Sequence, residues 1–300
     1  MIGQTVTTPP AIPAAATNRA GRGRGRWRTF LRYGALYALA CLFLMPVYAL
    51  VVTALKNPGE VSVTGMWHLP RALSLQGFST VWPKLAGGLR NSIVLAIPAS
   101  LISSLLGCAN GFVMAKWRFR GSGLVFPLIV FGIFVPYQAI LIPLVQTMNT
   151  AGLRGGSDPT GGLRGLLLVH IIYGLPITTL IFRNYFVGLP STLIESAKVD
   201  GAGMLRSFVD IGVPLAGPAF AISIIWQFTA IWNDFLFGAV MTSRDAWPVT
   251  IALNNIAGGQ SVPFEQAMAG ALLACIPTLL VYVLLGRYFM RGLLAGALQQ

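Results

Sequence analysis

The chain has 300 residues, 55% of them hydrophobic and only 10% charged, against roughly 25% charged in an ordinary soluble domain. So few charges cannot cover a water-facing surface, which excludes an ordinary soluble fold and places the chain in the membrane class. The net charge of +13 would also suit nucleic acid, but its distribution argues otherwise: Arg19, Arg22, Arg24, Arg26, Arg28 and Arg32 precede the first long apolar run with no acid among them. That pattern fits an anionic inner membrane surface rather than a nucleic-acid partner.

Residues 1–29 are rich in Thr, Pro, Ala, Gly and Arg and lack apolar periodicity, so they are expected to form a disordered basic cytoplasmic tail ahead of a transmembrane domain over 30–300. The first apolar run lies past residue 30, is too long for a signal peptide and lacks a small-residue cleavage site, so it is expected to remain as a membrane span. Six such segments follow in order, at 33–55, 92–115, 124–148, 166–182, 215–241 and 267–285. About 20 helical residues cross a bilayer, so an all-α integral membrane protein of six transmembrane helices is expected. Prolines interrupt several spans (Pro98, Pro127, Pro136, Pro143, Pro176, Pro218, Pro277), as bundled membrane helices tolerate when neighbours re-satisfy the freed backbone groups.

Between the spans, residues 56–91 read as a long, partly ordered outer loop, 149–165 as a Gly-rich loop, and 242–266 as a loop with short interfacial helices. Trp67, Trp82 and Trp247 read as interface anchors and His68 as an exposed residue. His170 reads as a hydrogen-bonded packing residue of the fourth span. Cys41, Cys108 and Cys275 lie inside apolar runs at no metal-ligand spacing, so neither a metal site nor a disulfide is expected. Six crossings put both termini on one side, and with the amino terminus inside, 14 of the 21 basic residues face the cytoplasm. Both termini are therefore expected to be cytoplasmic.

The inner loop over 183–214 reads RNYFVGLPSTLIESAKVDGAGMLRSFVDIGVP. Pro190 ends the preceding segment, and Thr192 with Glu195 has the spacing of a capping box. Leu193, Ile194 and Ala197 share one helical face. Gly201, Ala202 and Gly203 interrupt the run, and a second short helix groups Met204, Leu205, Phe208 and Ile211 before Pro214. Two short amphipathic helices at an angle present apolar groups at the cytoplasmic surface, which calls for a soluble partner. The alternative is an amphipathic loop lying on lipid headgroups.

Glu195-Ser196-Ala197, three residues, Gly201, nine residues, Ile211, one residue and Val213-Pro214 resemble the Glu-Ala-Ala (EAA) loop of ATP-binding-cassette importer permeases. Ser196 replaces an Ala and Val213 a Leu. The resemblance extends over the whole membrane region and implies a type I importer permease whose coupling helices, here Glu195, Ser196, Ala197, Gly201, Met204, Phe208, Ile211 and Pro214, dock on an ATP-binding subunit. It also implies that ATP and Mg are bound on two such separate subunits, with no cofactor in this chain. The sequence agrees, since no Gly-x-x-x-x-Gly-Lys-Ser/Thr run occurs and the glycines near Gly155 and Gly161 lack the lysine.

The fifth span carries Trp226, Gln227, Trp232, Asn233 and Asp234 in IIWQFTAIWNDFLFG. An acid within a span is costly and marks a candidate site, and polar groups beside aromatic faces suit sugar hydroxyls and rings. Asp234 also has a plain structural reading, as the cap of a half-helix. The stretch resembles the Trp-Asn-Asp/Glu-Phe segment of maltose-type carbohydrate permeases, and RYFMRGLLAGAL resembles that group's Phe-x-x-Gly-Leu-x-x-Gly-Ala end. ALNNI and IPTLLVYVLLGRYF are similar to glucose/mannose-type permeases. The resemblance implies a heterodimer with a second related permease, an extracytoplasmic solute-binding protein and the cytoplasmic (inner) membrane of a bacterium or archaeon. Two other readings stand beside it: an ion-coupled secondary carrier, for which Asp234 is the one acid clearly inside a span, and an importer permease for an amino acid or peptide.

Overall fold

The computed structural model describes residues 21–62, 64–117, 119–258 and 263–297, and among them every regular element is a helix. Most of the expected tail, residues 1–20 with Arg19, and the loop residue Arg118 lie outside the described residues. By chain contacts the protein divides into residues 1–49 and residues 50–300.

The described part of the first unit belongs to helix α1 (Gly21–Ala54). It begins ahead of the expected boundary at residue 29, inside the stretch read as disordered. Arginine is a good helix former, and extending a helix already nucleated by an apolar span adds one hydrogen bond per residue fixed. Leu36, Tyr37, Phe43 and Leu44 are all more than half exposed, as befits a helix apolar on every side.

The second unit is built around α2 (Gln76–Lys116) and α5 (Leu163–Val187). The 41 residues of α2 rise about 60 Å, more than a bilayer core, so this helix absorbs the last part of the expected outer loop 56–91. The α5 helix likewise outruns the expected 166–182 at both ends. The two approach closely along a Gly-x-x-x-Gly pair, Gly107 and Gly111. A Cβ on Gly107 would lie 2.4 Å from Thr178 Oγ1, and one on Gly111 would lie 2.6 Å from the Arg183 amide nitrogen. Small residues at this spacing let membrane helices pack backbone to backbone.

Two expected spans are bent. The third is α3 (Ser122–Phe131) with the short turn 132–134, then α4 (Tyr137–Thr150) at 96° to it. Pro136 at the break lacks the amide that would continue the helix. After α6 (Ser191–Val199) and α7 (Met204–Ser207), a π turn at Phe208–Gly212 leads into α8 (Val213–Leu215), and α9 (Gly217–Trp232) sets off at 74°. The apolar run read as one fifth span, 215–241, breaks again after Trp232 and resumes as α10 (Leu236–Met241). The chain then forms α11 (Val249–Ala257) within the outer loop and ends in α12 (Phe264–Ala297). Among the described residues, four helices are long and apolar enough to cross a membrane, or up to six if each bent pair is one span.

The core has two main parts. Leu85, Leu95, Leu166, Phe228, Trp232, Phe237 and Met241 fill one between α2, α5, α9 and α10. Cys108, Phe112, Phe182, Phe186 and Ile194 fill the other, where α6 meets the ends of α2 and α5. Ser104 and Ser223 meet at 2.8 Å between α2 and α9, so their buried hydroxyls satisfy each other.

Candidate functional site

The break between α9 and α10 opens a cavity of about 510 Å³ walled by α4, α5, α9 and α10. Asp234 sits at the break and organises it. Its carboxylate accepts from the amides of Phe237 at 3.3 Å and Gly238 at 3.1 Å, which are orphan donors of the first turn of α10. Its own carbonyl accepts from Thr250 Oγ1 at 2.6 Å. The half-helix cap foreseen for Asp234 is thus present, and the residue lines the cavity as well.

The other fifth-span candidates separate. Trp226 is 58% exposed, and it lines the cavity with Asn233. Gln227 is buried on the same wall, donating Nε2 to the His170 carbonyl at 3.0 Å, where only a glycine at position 174 leaves it room. Trp232 faces away: it stacks on Phe228 and donates its indole N–H to the Ala274 carbonyl at 3.0 Å, tying α9 to α12. It belongs to the core because its neighbours on α12, which the sequence does not reveal, supply the acceptor an indole needs when buried.

Two residues outside the fifth span complete the wall. His170 is buried, yet its Nε2 has no hydrogen-bond partner and stands 3.6 Å from Asp234 Oδ2, too far for a hydrogen bond. The expectation that His170 is a hydrogen-bonded packing residue therefore fails for its side chain. The Tyr173 hydroxyl is also buried without a partner. The rings of Tyr137, His170 and Tyr173 surround Phe237 at 5.3–5.9 Å. Orphaned buried polar atoms are costly unless something satisfies them, and here two of them share a wall with Asp234, Asn233 and the face of Trp226. Such a wall suits a ligand with several hydroxyls. His170 and Tyr173 stand three residues apart on α5, a helical one-face spacing that was visible in the sequence, but nothing there told that this face lines a cavity.

The second candidate region is the loop of α6 to α8. Pro190 holds the N-cap position of α6 and no side chain caps it. Thr192 lies inside the first turn, where its carbonyl accepts from Ser196 Oγ at 2.8 Å. The expected capping box does not form, because the helix starts at Ser191, two residues before the Leu193 start that a Thr192 cap requires, and carries Thr192 past the cap position. Gly201 turns the chain at φ +79°, a left-handed conformation that favours glycine, and nothing lies within 4 Å of where its Cβ would be. Ile194 and Ala197 are buried; Met204, Phe208 and Ile211 pack against the lower core, with Phe208 on the Phe112 ring at 5.3 Å. Glu195, Ser196, Gly201 and Pro214 are exposed. Leu205, grouped in the sequence with Met204 and Phe208, instead faces outward at 75% exposure, as do Val199 at 88% and Val209 at 52%. The π turn bears only on Val209, which lies within it, since its wider winding shifts which side chains share a face.

Outside the helices, Asp158 holds the loop before α5. It accepts from the Thr160 hydroxyl, from the Thr160 and Gly162 amides at 3.2 Å each, and from Arg164 Nε at 3.2 Å. Burial opposes its ionisation, but the Thr160 hydrogen bonds and the Arg164 guanidinium outweigh that and hold its carboxyl below the usual range. Among the described residues no group of three or more His, Cys, Asp or Glu could hold a metal ion.

Comparison with known proteins adds the following. Residues 107–294 match the family described as binding-protein-dependent transport system inner membrane component. A probable ABC transporter permease protein of Pyrococcus horikoshii is 38% identical over 90% of this chain and 97% of its own length. The xylose/arabinose import permease protein of Haloferax volcanii is 35% identical over 88% of this chain and 92% of its own. In fold, the chain is similar to a chain of a bacterial ABC transporter involved in import of the acidic polysaccharide alginate, with a TM-score of 0.74 at 19% identity, over 92% of this chain and all of that one. The chain thus belongs to the inner-membrane permease components of binding-protein-dependent ABC importers, which are not themselves enzymes.

Proposed function

We propose that this chain forms half of the translocation path of a sugar importer, with the sugar passing the cavity at the α9–α10 break. The observation that carries this reading is the pair of unpartnered buried groups, His170 Nε2 and Tyr173 Oη, on a wall shared with Asp234, Asn233 and the exposed face of Trp226. Sugar hydroxyls supply both donors and acceptors, and an aromatic face accommodates the apolar side of a ring. A relative named for xylose and arabinose and a structural neighbour named for alginate support the class. Within it, ALNNI and IPTLLVYVLLGRYF favour a glucose- or mannose-like sugar.

The permease works with a second related permease, with ATP-binding subunits that carry hydrolysis, and with an extracytoplasmic binding protein. In the proposed topology α3 with α4 forms one span and α9 another, giving six with α1, α2, α5 and α12, with both termini and the α6–α8 loop in the cytoplasm and a basic tail over 1–29. The excess of basic residues on that side supports it. The loop then serves as the coupling surface: Val199, Leu205 and Val209 face the ATP-binding subunit, while Met204, Phe208 and Ile211 join the loop to the bundle.

The test is uptake by the reconstituted complex with its binding protein. Glucose or mannose should be taken up with ATP hydrolysis, and Tyr173→Phe or His170→Ala should slow transport about tenfold while leaving sugar binding to the binding protein unchanged. Uptake driven by an ion gradient at constant ATP would overturn the importer mechanism. Uptake of amino acids or peptides but no sugar would overturn the substrate class.

A further inference from the structure

A second cavity, of about 390 Å³, opens where α2 ends, α3 begins and α5 ends. Met114, Phe126 and Pro127 form apolar walls, and Ser122 and Gly123 from the first turn of α3 complete it beside Arg183. The Arg183 guanidinium carbon lies 4.1 Å from the centre of the Phe126 ring, and its Nε is buried without a hydrogen-bond partner. Two further cations stand beside lining residues or their chain neighbours. Lys198 Nζ, reaching from α6, sits 5.4 Å over the ring of Trp117, which lines the cavity, and Lys116 Nζ donates to the Leu189 carbonyl at 2.7 Å.

None of the three has an acid partner. The ion pairs of arginine among the described residues are Arg164–Asp158 and Arg206–Asp210. Ring faces and carbonyls stabilise a cation but leave its charge in place, and a partly desolvated cluster of positive charge favours an anion. The first turn of α3, at the positive end of that helix and with no side-chain cap, adds to the same field. Arginine's planar fork matches phosphate oxygens in particular.

We infer that this cavity binds the phosphate of an anionic lipid headgroup. The lipid, rather than a soluble phosphate, follows from the setting. Beyond the cavity, α3 turns Leu124 and Leu128 outward at 65% and 61% exposure, and Trp117 at its mouth is 40% exposed. A headgroup seated on Arg183 would thus continue into acyl chains along an apolar helix face. Because Lys198 belongs to α6, the bound lipid would also fasten the α6 loop to the ends of α2, α3 and α5. None of this depends on which solute is carried.

The test uses the assembled transporter in detergent, titrated separately with phosphatidylglycerol, phosphatidylcholine and inorganic phosphate, with lipid retention read by native mass spectrometry and stability by melting temperature. Phosphatidylglycerol should be retained and raise the melting temperature, and neither other probe should match it. Removing one charge in Arg183→Gln should weaken retention about fivefold, as one basic residue near an anionic surface contributes ~1 kcal/mol. Ser122→Asp supplies a carboxylate to Arg183 where the α3 terminus favours it, so it should fold, assemble and exclude the lipid; it decides the matter if Arg183→Gln fails to assemble. Equal retention by wild type and Ser122→Asp would overturn the inference. So would equal protection by inorganic phosphate or by phosphatidylcholine. Loss of the ATP-binding subunits from Arg183→Gln with phosphatidylglycerol retention unchanged would assign these cations to a protein partner instead.

Discussion

The chain interrupts its helices at two places that handle the exposed backbone and side chains in opposite ways. At the α9–α10 break, Asp234 caps the new helix, Thr250 covers the Asp234 carbonyl, and Gln227 covers that of His170. The polar groups left over, His170 Nε2 and Tyr173 Oη, are buried on residues that line a cavity. In the α6–α8 loop, no side chain caps α6 or α7, the Ser207 hydroxyl is buried without a partner, and apolar side chains, Val199, Leu205 and Val209, face outward. A break closed by side chains keeps its geometry and offers hydrogen bonds to a small polar guest. A break that leaves apolar side chains outside gains stability only when another surface covers them. The same device, an interrupted helix, thus suits ligand contact in one place and docking in the other.

That comparison breaks most readily at the docking surface. Val199→Asp with Leu205→Asp should abolish association with the ATP-binding subunits, because each side chain loses about 1.5–3 kcal/mol of burial on docking. Both side chains are exposed here, so the permease itself should express and insert as before; co-purification and uptake measure the two effects. A variant that still co-purifies and transports would show that the apolar face is not the docking face.

At the other break, Asp234→Ala should destabilise the assembled complex by about 1–3 kcal/mol, since two amides of α10 lose their acceptor. Asp234→Asn keeps an acceptor oxygen and should cost less; thermal unfolding with and without sugar separates cap from ligand contact. Gly201→Ala probes the turn with no steric clash, as nothing occupies the space of the new Cβ. The left-handed backbone alone should cost about 1–2 kcal/mol, and Gly201→Asp, which adds a charge beside the docking face, should further uncouple ATP hydrolysis from transport. The smallest effect is expected outside both breaks, at Asp158. Its depressed pKa means that its contribution is present above the ordinary carboxylate range and fades as pH falls below about 4. The melting temperature of wild type should therefore drop more on acidification than that of Asp158→Asn.

Much of this architecture was legible in the chain. Apolar runs of bilayer length marked where the long helices lie, because crossing hydrocarbon constrains length and polarity, although α1 and α2 begin well ahead of the runs at 33 and 92 and the run over 215–241 is broken. The spacing from Glu195 to Pro214 marked the loop, and Asp234 was singled out as an acid with two readings, of which the cap is present. The bends were less legible. Pro136 breaks its run by 96°, whereas Pro98 lies inside the continuous α2 helix, and proline chemistry is identical in both. The difference lies in whether packed neighbours hold the helix straight.

What the sequence determined alone is the class of protein, the order of its apolar segments and the site of its loop, since these follow from the transfer energy of each residue and the chain's own periodicity. The tertiary structure decided which side of each element is used. It turned Trp232 into the core and Trp226 to the cavity, half-buried Met204 and Phe208 while exposing Leu205, and left His170, Tyr173 and Arg183 with atoms unpartnered. Those outcomes depend on which helices meet, and a side chain's partner across the bundle is written on another helix far away in the chain.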